Sequence, residues 1–365
     1  MDPASEPLDV IVHLDFAYDV GYEIDLERAR PLVQSVSGAL PRRRRTPESI
    51  RYRPAPIRVP IEETGFALPG VTPSAGSRGE LALFDFGAVS LTVQVPVRLT
   101  SAQLLRLAGD LADTGPLHAA SRQIVDTWIE RIRPAILDFE LSEMSEEYIV
   151  FQVMDDSARA DWIETRADWI AGLVRLESAP LSATEVSEAT RLSLSYTPND
   201  LVTLDWAAGF VADRDCAETL QVIEFANVQL LEFRHIDDRL DDRLEAAYRL
   251  IRPIEGERRR RGWWRSHEAA MRSVRELEIE ATSLFERADN ALKLIGDQYL
   301  SRVFDLASTR FHLPGWQQSI RRKLDTVGDV FDLLVQQSGG LRMELLEMIV
   351  VVLIALEIVL AVFRH

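Results

Sequence analysis

Short β-rich apolar runs mix irregularly with stretches of helical spacing through the first 212 residues, and helical spacing alone follows them. Val10–Phe16 (VIVHLDF) is a short branched run that predicts a strand, and Asp25–Ser35 has the spacing of a short helix opened by an Asp cap. Prolines 41, 47, 54 and 56 around Arg42–Arg45 predict a basic loop, and PGVTPSAGSRG (Pro69–Gly79) a second loop or linker. Two β-rich runs come next, Leu81–Phe86 and Ala88–Val97, meeting at Gly87 in an expected hairpin. Ser101–Ala112 and Ala119–Ile136 are helical by period, Tyr148–Met154 is a strand, and Ala158–Leu176 carries Trp162 and Trp169 on one helix face. Ser182–Leu192 looks helical, and Leu194–Tyr196 and Leu201–Trp206 form a strand pair around a Pro-Asn-Asp turn. Strands and helices do not alternate as a doubly wound parallel sheet requires, so the expected class is α+β with a mainly antiparallel sheet.

No strand is expected after Ala217. Ile223, Ala226, Leu230, Phe233, Leu240, Leu244, Ala247 and Ile251 trace one stripe of a long helix that Pro253 ends. Ala270, Val274, Leu277, Ala281, Leu284, Ala288, Ala291 and Ile295 repeat at alternating spacings of four and three, the seam of a coiled coil. The seam restarts after Pro314 and Gly315 at Ile320, Leu324, Val327, Phe331 and Leu334, so the two helices should fold back as an antiparallel hairpin. The domain boundaries implied are 1–78, a small module or an extension packed on the neighbouring domain; 79–212, the α+β domain; 213–340, the helical hairpin; and 341–365.

That last segment holds the most uniform apolar run in the chain, Leu345–Phe363 (LLEMIVVVLIALEIVLAVF). As a helix it is roughly 28 Å long, about the thickness of a bilayer's hydrocarbon core. It predicts one C-terminal transmembrane helix acting as a tail anchor, with Leu345, Met348, Val352, Glu357 and Phe363 in the anchor and in helix association. Glu347 can stay at the headgroup level, whereas Glu357 facing lipid would cost about 2.5 kcal/mol and needs a partner or a proton. The other reading is the apolar core helix of a soluble oligomer.

Composition narrows the function. The chain of 365 residues is 47% apolar with a formal charge of -17, which argues against attraction to nucleic acid or an anionic leaflet by net charge. Cys216 is the single cysteine, so no internal disulfide or cysteine metal cluster forms, and its acidic surroundings disfavour a thiolate. The acidic, unbasic start MDPASEPLDV predicts no targeting segment and a cytoplasmic body. No nucleophile elbow or phosphate loop occurs, His13 reads as a core or edge histidine, and Glu232-x-x-His235 lacks the second copy that a di-iron site needs. No catalytic residue, cofactor or metal is therefore expected. The further alternative is an uncharacterised hydrolase or ligand-binding enzyme in the α+β domain, which a deep pocket gathering Asp85, Asp138 and Asp205 would favour. Arg258, Arg259, Arg260 and Arg261 beside Trp263 and Trp264 form a basic and aromatic cluster that is either a solvated turn or a contact with an anionic surface.

ALKLIGDQYLSRVF and then RMELLEMIVVVLIALEIVLAVF resemble the end of a family of C-terminally membrane-anchored proteins that includes the mitochondrial protein "required for meiotic nuclear division". Arg342, Glu344 or Glu347, and Glu357 look like the positions of its Arg-x-Leu-Glu-Trp head and late Glu, with Met348 where the family carries Trp. LFDFGAVSL (Leu83–Leu91) is similar to the Gly-containing strand that opens its domain. The resemblance implies a non-catalytic, oligomer-forming membrane scaffold; eukaryotic relatives sit at the mitochondrial inner membrane and support organellar translation as a tether. The expected partners are membrane lipid, further copies of the chain and an unidentified protein, with no sequence-specific nucleic acid.

Overall fold

A computed structural model describes residues 6–37, 50–52, 54–154, 161–251, 272, 275, 278, 279, 281–289, 292–294, 297–330, 332, 350, 351, 353 and 354. The chain divides into two compact units, Met1–His235 with Phe285–Trp316, and Ile236–Leu284 with Gln317–His365.

The strands of the first unit are β1 (Leu8–Asp19), β2 (Gly21–Ile24), β3 (Ile50–Tyr52), β4 (Ile57–Ile61), β5 (Arg78–Leu83) and β6 (Ala88–Leu99). They continue with β7 (Ile136–Phe139), β8 (Ser145–Val153), β9 (Ser193–Leu194), β10 (Leu201–Leu204), β11 (Ala208–Ala212) and β12 (Leu292–Leu294). Its helices are α1 (Leu26–Ser37), α2 (Ser101–Asp110), α3 (Gly115–Ile132), α4 (Trp162–Thr165), α5 (Ala167–Arg175) and α6 (Ala183–Ala189). α7 (Ala217–Ile251) contributes its residues up to His235, α8 is Gln298–Arg310, and residues 285–289 are also helical.

Eight strands form one sheet in the order β4-β5-β6-β1-β8-β11-β10-β9. Every neighbouring pair is antiparallel except β8 and β11, whose connection carries α4 to α6 and the β9-β10 hairpin, the long crossover that a parallel pair needs. The expected α+β class with a mostly antiparallel sheet is thus what the chain forms. β1 lies at the centre, with Leu14 opposite Val93 of β6 on one side and Ile149 of β8 on the other. The boundary expected at residue 78 therefore falls inside one sheet, because the early residues supply its middle strand.

The period of two along β1 sorts its side chains between two faces. Val10, Val12, Leu14, Phe16 and Tyr18 join the main core with Leu91, Val93 and Phe151 and with residues of α1, α2, α3 and α5. The opposite face carries Ala17 and Ala82, which pack with Phe84, Phe86 and Ala88 against Phe225, Val228 and Leu231 of α7. Burial on both faces explains why the strands read as near-continuous apolar runs.

Local chemistry sets the ends. Asp25 Oδ1 accepts from the amides of Glu27 and Arg28 at 3.1 Å, the expected cap of α1. α2 is capped by Thr100, in a capping box with Gln103. The helix expected to reach Ile136 stops at Ile132, and the chain passes through a 3₁₀ turn containing Pro134 into β7. The hairpin at Gly87 forms as expected, with φ of +96°.

The unbroken coiled coil expected through Ala291 and Ile295 is interrupted. Leu292–Leu294 is a strand, pairing antiparallel with Ile50–Tyr52, so a ladder with a distant partner overrides the helical period there. Neither the expectation of no strand after Ala217 nor that of one continuous seam holds. Pro314 lies in the first turn of a helical segment at 313–330, where its missing N–H costs nothing. In the second unit Lys323 Nζ lies 2.8 Å from Asp237 Oδ2 and 2.6 Å from Asp241 Oδ2, and Leu240, Ile320 and Val327 are buried. The helical hairpin as a whole extends over residues outside those described.

Among the described residues no helix is long and apolar enough to cross a membrane. Of the run Leu345–Phe363 only Val350, Val351, Leu353 and Ile354 are described, and they are helical.

A methyl group added at Gly87 would meet the Gly21 carbonyl oxygen at 1.8 Å, in a backbone conformation that side chains disfavour. Gly87→Ala should cost about 3 kcal/mol or more in a urea unfolding titration. A loss under ~1 kcal/mol would show that the turn can re-form without that close approach.

Candidate functional site

The polar half of the second sheet face opens into a cleft of about 370 Å³. β1 contributes Ile11, His13 and Asp15; β4 Arg58; β5 Arg78 and Glu80; β6 Thr92 and Gln94; β8 Gln152. Cys216, Gln221 and Glu224, at and after the start of α7, supply the remaining wall. The alternation that buries Val12 and Leu14 in the main core is what turns His13 and Asp15 to this side.

These side chains hold one another in place. His13 Nε2 lies 2.8 Å from Gln152 Oε1, and Gln152 Nε2 donates to the Asp213 carbonyl at 2.9 Å. Because that second bond fixes the amide orientation, Gln152 Oε1 must accept, so His13 carries its proton on Nε2. His13 Nδ1 is then a lone-pair acceptor, buried and without a partner. Burial lowers the imidazole from 6.5 to about 4, outweighing the Gln152 hydrogen bond, and His13 is neutral at pH 7.

Asp15 Oδ1 accepts from Thr92 Oγ1 at 2.7 Å, across the register that pairs the two residues. Burial first and the Glu224 carboxylate second raise its carboxyl from 3.8 to about 8, against the pull of Thr92 and Arg58. At pH 7 Asp15 is therefore mostly protonated. Arg58 bridges two carboxylates, reaching Glu80 Oε1 at 2.7 Å and Glu224 Oε2 at 2.8 Å. Burial works against its charge, but Glu224, Tyr52 and Glu80 more than offset this and hold it above the ordinary arginine value. Glu224 Oε1 is buried and has no partner. Cys216 is inert as a nucleophile, since burial and then Asp213 push its thiol up to about 12.

Asp85, Asp138 and Asp205 do not meet in this cleft. Asp85 pairs with Arg287 at 3.3 Å, Asp138 sits on β7 with φ of +47°, and the buried Asp205 is held by Arg310 at 3.1 Å and by Arg175. Glu232 is buried, His235 Nε2 lies 3.6 Å from Asp19 Oδ1, and among the described residues no group of three His, Cys, Asp or Glu side chains could hold a metal ion. Leu345, Met348, Val352, Glu357 and Phe363 lie outside the described residues, as do Arg258, Arg259, Arg260, Arg261, Trp263, Trp264 and Arg42–Arg45. The cleft residues escape a reading of the sequence because they come from five strands and a helix, and only their alternation along β1 hints at a second, polar face.

A family model described as the N-terminal domain of the uncharacterized protein MJ0711 matches residues 10–218, more than half of the chain. The chain belongs to the MJ0711 N-terminal domain family. The matched span runs from β1 to the first turn of α7 and so includes every cleft residue named above except Gln221 and Glu224. The uncharacterized protein MJ0711 of Methanocaldococcus jannaschii is 23% identical over 228 residues, which cover 62% of this chain and 69% of that protein. No solved structure matches. The resemblance to the membrane-anchored family rests on the terminal residues and the Leu83–Leu91 stretch alone.

Asp15 and His13 give opposite pH dependences. The folded chain holds an Asp15 proton that the unfolded chain releases, so stability from this group is present below 3.8 and lost as pH rises through about 8. The His13 contribution is present above 6.5 and lost as pH falls through about 4. The two slopes oppose each other from pH 4 to 6.5. From 6.5 to 8 Asp15 acts alone, removing on the order of 2 kcal/mol. Asp15→Asn, which copies the shape of the protonated acid, should flatten that interval in urea titrations. An unchanged slope would remove Asp15 as its cause.

Proposed function

We propose that this chain is a membrane-attached, non-catalytic binding protein, fastened to lipid through Leu345–Phe363 and self-associating through its helices. The observation that carries the reading is the apolar run itself, with Glu347 and Glu357 as its only charged residues. A helix without a polar face needs lipid or protein on every side. Val350, Val351, Leu353 and Ile354 are between 49% and 63% exposed. At 100° per residue they spread over roughly 160° of the helix circumference, so an apolar face of that width calls for a solvent or partner that water cannot replace.

Two features support a binding role over a catalytic one. The acid and base groups of the cleft are engaged with one another, and the thiol beside them is held neutral. The resemblance at the chain's end points the same way, to a scaffold that holds a partner such as translation machinery at a membrane. The body lies in the cytoplasm in this reading, and Glu357 serves helix association as a protonated or paired carboxyl.

Membrane fractions washed in alkaline carbonate should retain the full chain and lose a version lacking residues 341–365. Recovery of the full chain as a discrete, detergent-free oligomer would favour the buried-helix alternative. Glu357→Leu should keep the protein in the membrane and reduce crosslinked oligomers several-fold; an unchanged oligomer would exclude that residue from association.

A further inference from the structure

The cleft on the second sheet face is deeper in chemistry than a scaffold requires. Its wall contains two side chains more than nine-tenths buried, His13 at 2% exposure and Glu224 at 4%, each with an acceptor atom that has no partner. His13 cannot use Nδ1 as a donor, because Nε2 already holds the proton toward Gln152. Glu224 can use Oε1 only as an acceptor when ionised, and its other oxygen is taken by Arg58. Each can accept an N–H or O–H from a molecule that enters the cleft.

The charge balance selects among donors. Glu224 and Glu80 both pair with Arg58, and Asp15 stands close enough to Glu224 to feel its charge. The elements around Asp15 bring Thr92 from β6, Tyr148 opposite it on β8, Arg58 from β4, Glu80 from β5, His13 on its own strand and Glu224 from α7. Arg58 is the one cation facing it in that set, and it is already bridged to two carboxylates. Arg78 and Arg214 also line the cleft; Arg78 is exposed, and Arg214 donates to the Met154 carbonyl at 3.0 Å. The acidic groups do not form a cluster that could hold a metal ion, so the charge that fits is spread over several N–H donors.

We propose that the cleft binds the ammonium or guanidinium end of a small organic molecule, its N–H groups donating to Glu224 Oε1 and His13 Nδ1. His13 and Glu224 both line the cleft but these two atoms are buried, so contact with a ligand requires the side chains to move toward it. A cation in that position also favours the ionised form of Asp15, so binding is coupled to loss of its proton. The volume of about 370 Å³ admits a ligand of amino-acid size. Arg78 and Arg214 can then receive an anionic group at the far end of a zwitterion. The inference rests on the binding role proposed above and adds the chemical class of the ligand.

The test is calorimetric titration of the full chain in detergent micelles with agmatine and L-arginine, in buffers of different ionisation enthalpy, beside acetate and inorganic phosphate as anionic probes. Binding of the two cations with release of about one proton at pH 7, and no binding of acetate or phosphate, is the expected result. Asp15→Asn should bind with no proton release, and Glu224→Gln should weaken binding ten- to a hundredfold, on the order expected for a charged hydrogen bond. Circular dichroism and the thermal midpoint of each variant separate loss of binding from loss of fold. Anions binding in place of cations would overturn the ligand class and leave the binding role standing. Chemical conversion of a bound probe would overturn the non-catalytic reading while supporting the class. If neither kind of probe binds the folded protein, the inference fails.

Discussion

Burial of the central strand on both faces is the constraint on which the rest of the first unit depends. A sheet that ended at one covered face could leave His13, Asp15 and Thr92 in water, where they cost nothing. Here α7 crosses that face, seats Phe225, Val228 and Leu231 on the apolar patch around Phe84 and Phe86, and so takes the neighbouring polar groups out of solvent. Each then needs a partner within the protein, because a buried polar group without one costs about 1 to 3 kcal/mol. The network of His13 with Gln152, Asp15 with Thr92, and Arg58 with Glu80 and Glu224 is the consequence. Fold and site share a cause: the apolar end of the face anchors the helix, and the polar end becomes the cleft beneath it.

The same constraint explains what can be read from the chain and what cannot. Gly87, the β5-β6 hairpin, the Asp25 cap and the stripe of α7 are fixed by neighbours in sequence, and each is legible. β2, β3, β4, β7 and β11 are not, since they are short and exist by pairing with distant segments, as Gly21–Ile24 does with Ile136–Phe139. Leu292–Leu294 is the clearest case. Its residues continue a helical seam by spacing, yet the partner at Ile50–Tyr52 draws the backbone into a ladder that no local pattern announces. The cleft stays hidden for a related reason, because Arg58, Glu80, Thr92, Gln152 and Glu224 are separated by up to 166 residues and look like ordinary surface polar residues one by one. His13 and Asp15, alternating with Val12 and Leu14, are the single local sign.

A second buried ionic cluster shows what a purely structural arrangement looks like. Arg310 of α8 is 5% exposed, donates from Nε to the Leu204 carbonyl and from Nη2 to the Glu188 carbonyl, both at 3.1 Å, and pairs with Asp205. Its guanidinium fork meets fixed carbonyls of the β10 strand and of α6, which ties the helix to the sheet edge. Its donors are matched by those two carbonyls and by Asp205 Oδ1.

The cleft differs in the sign of its imbalance. Its surplus consists of acceptors, an imidazole lone pair and a carboxylate oxygen, together with a carboxyl whose proton is held by burial first and by the Glu224 charge second. Stability alone gives no reason for this choice, since a buried ion pair replaced by well-packed apolar residues is often as stable or more so. An apolar wall would also have been simpler to build, as the other end of the same face demonstrates with Ala17, Ala82 and Phe84. An imidazole lone pair and a carboxylate oxygen on the wall of one cleft are acceptors that the N–H groups of a cationic partner can use, which is why the proposed ligand class combines donors with positive charge.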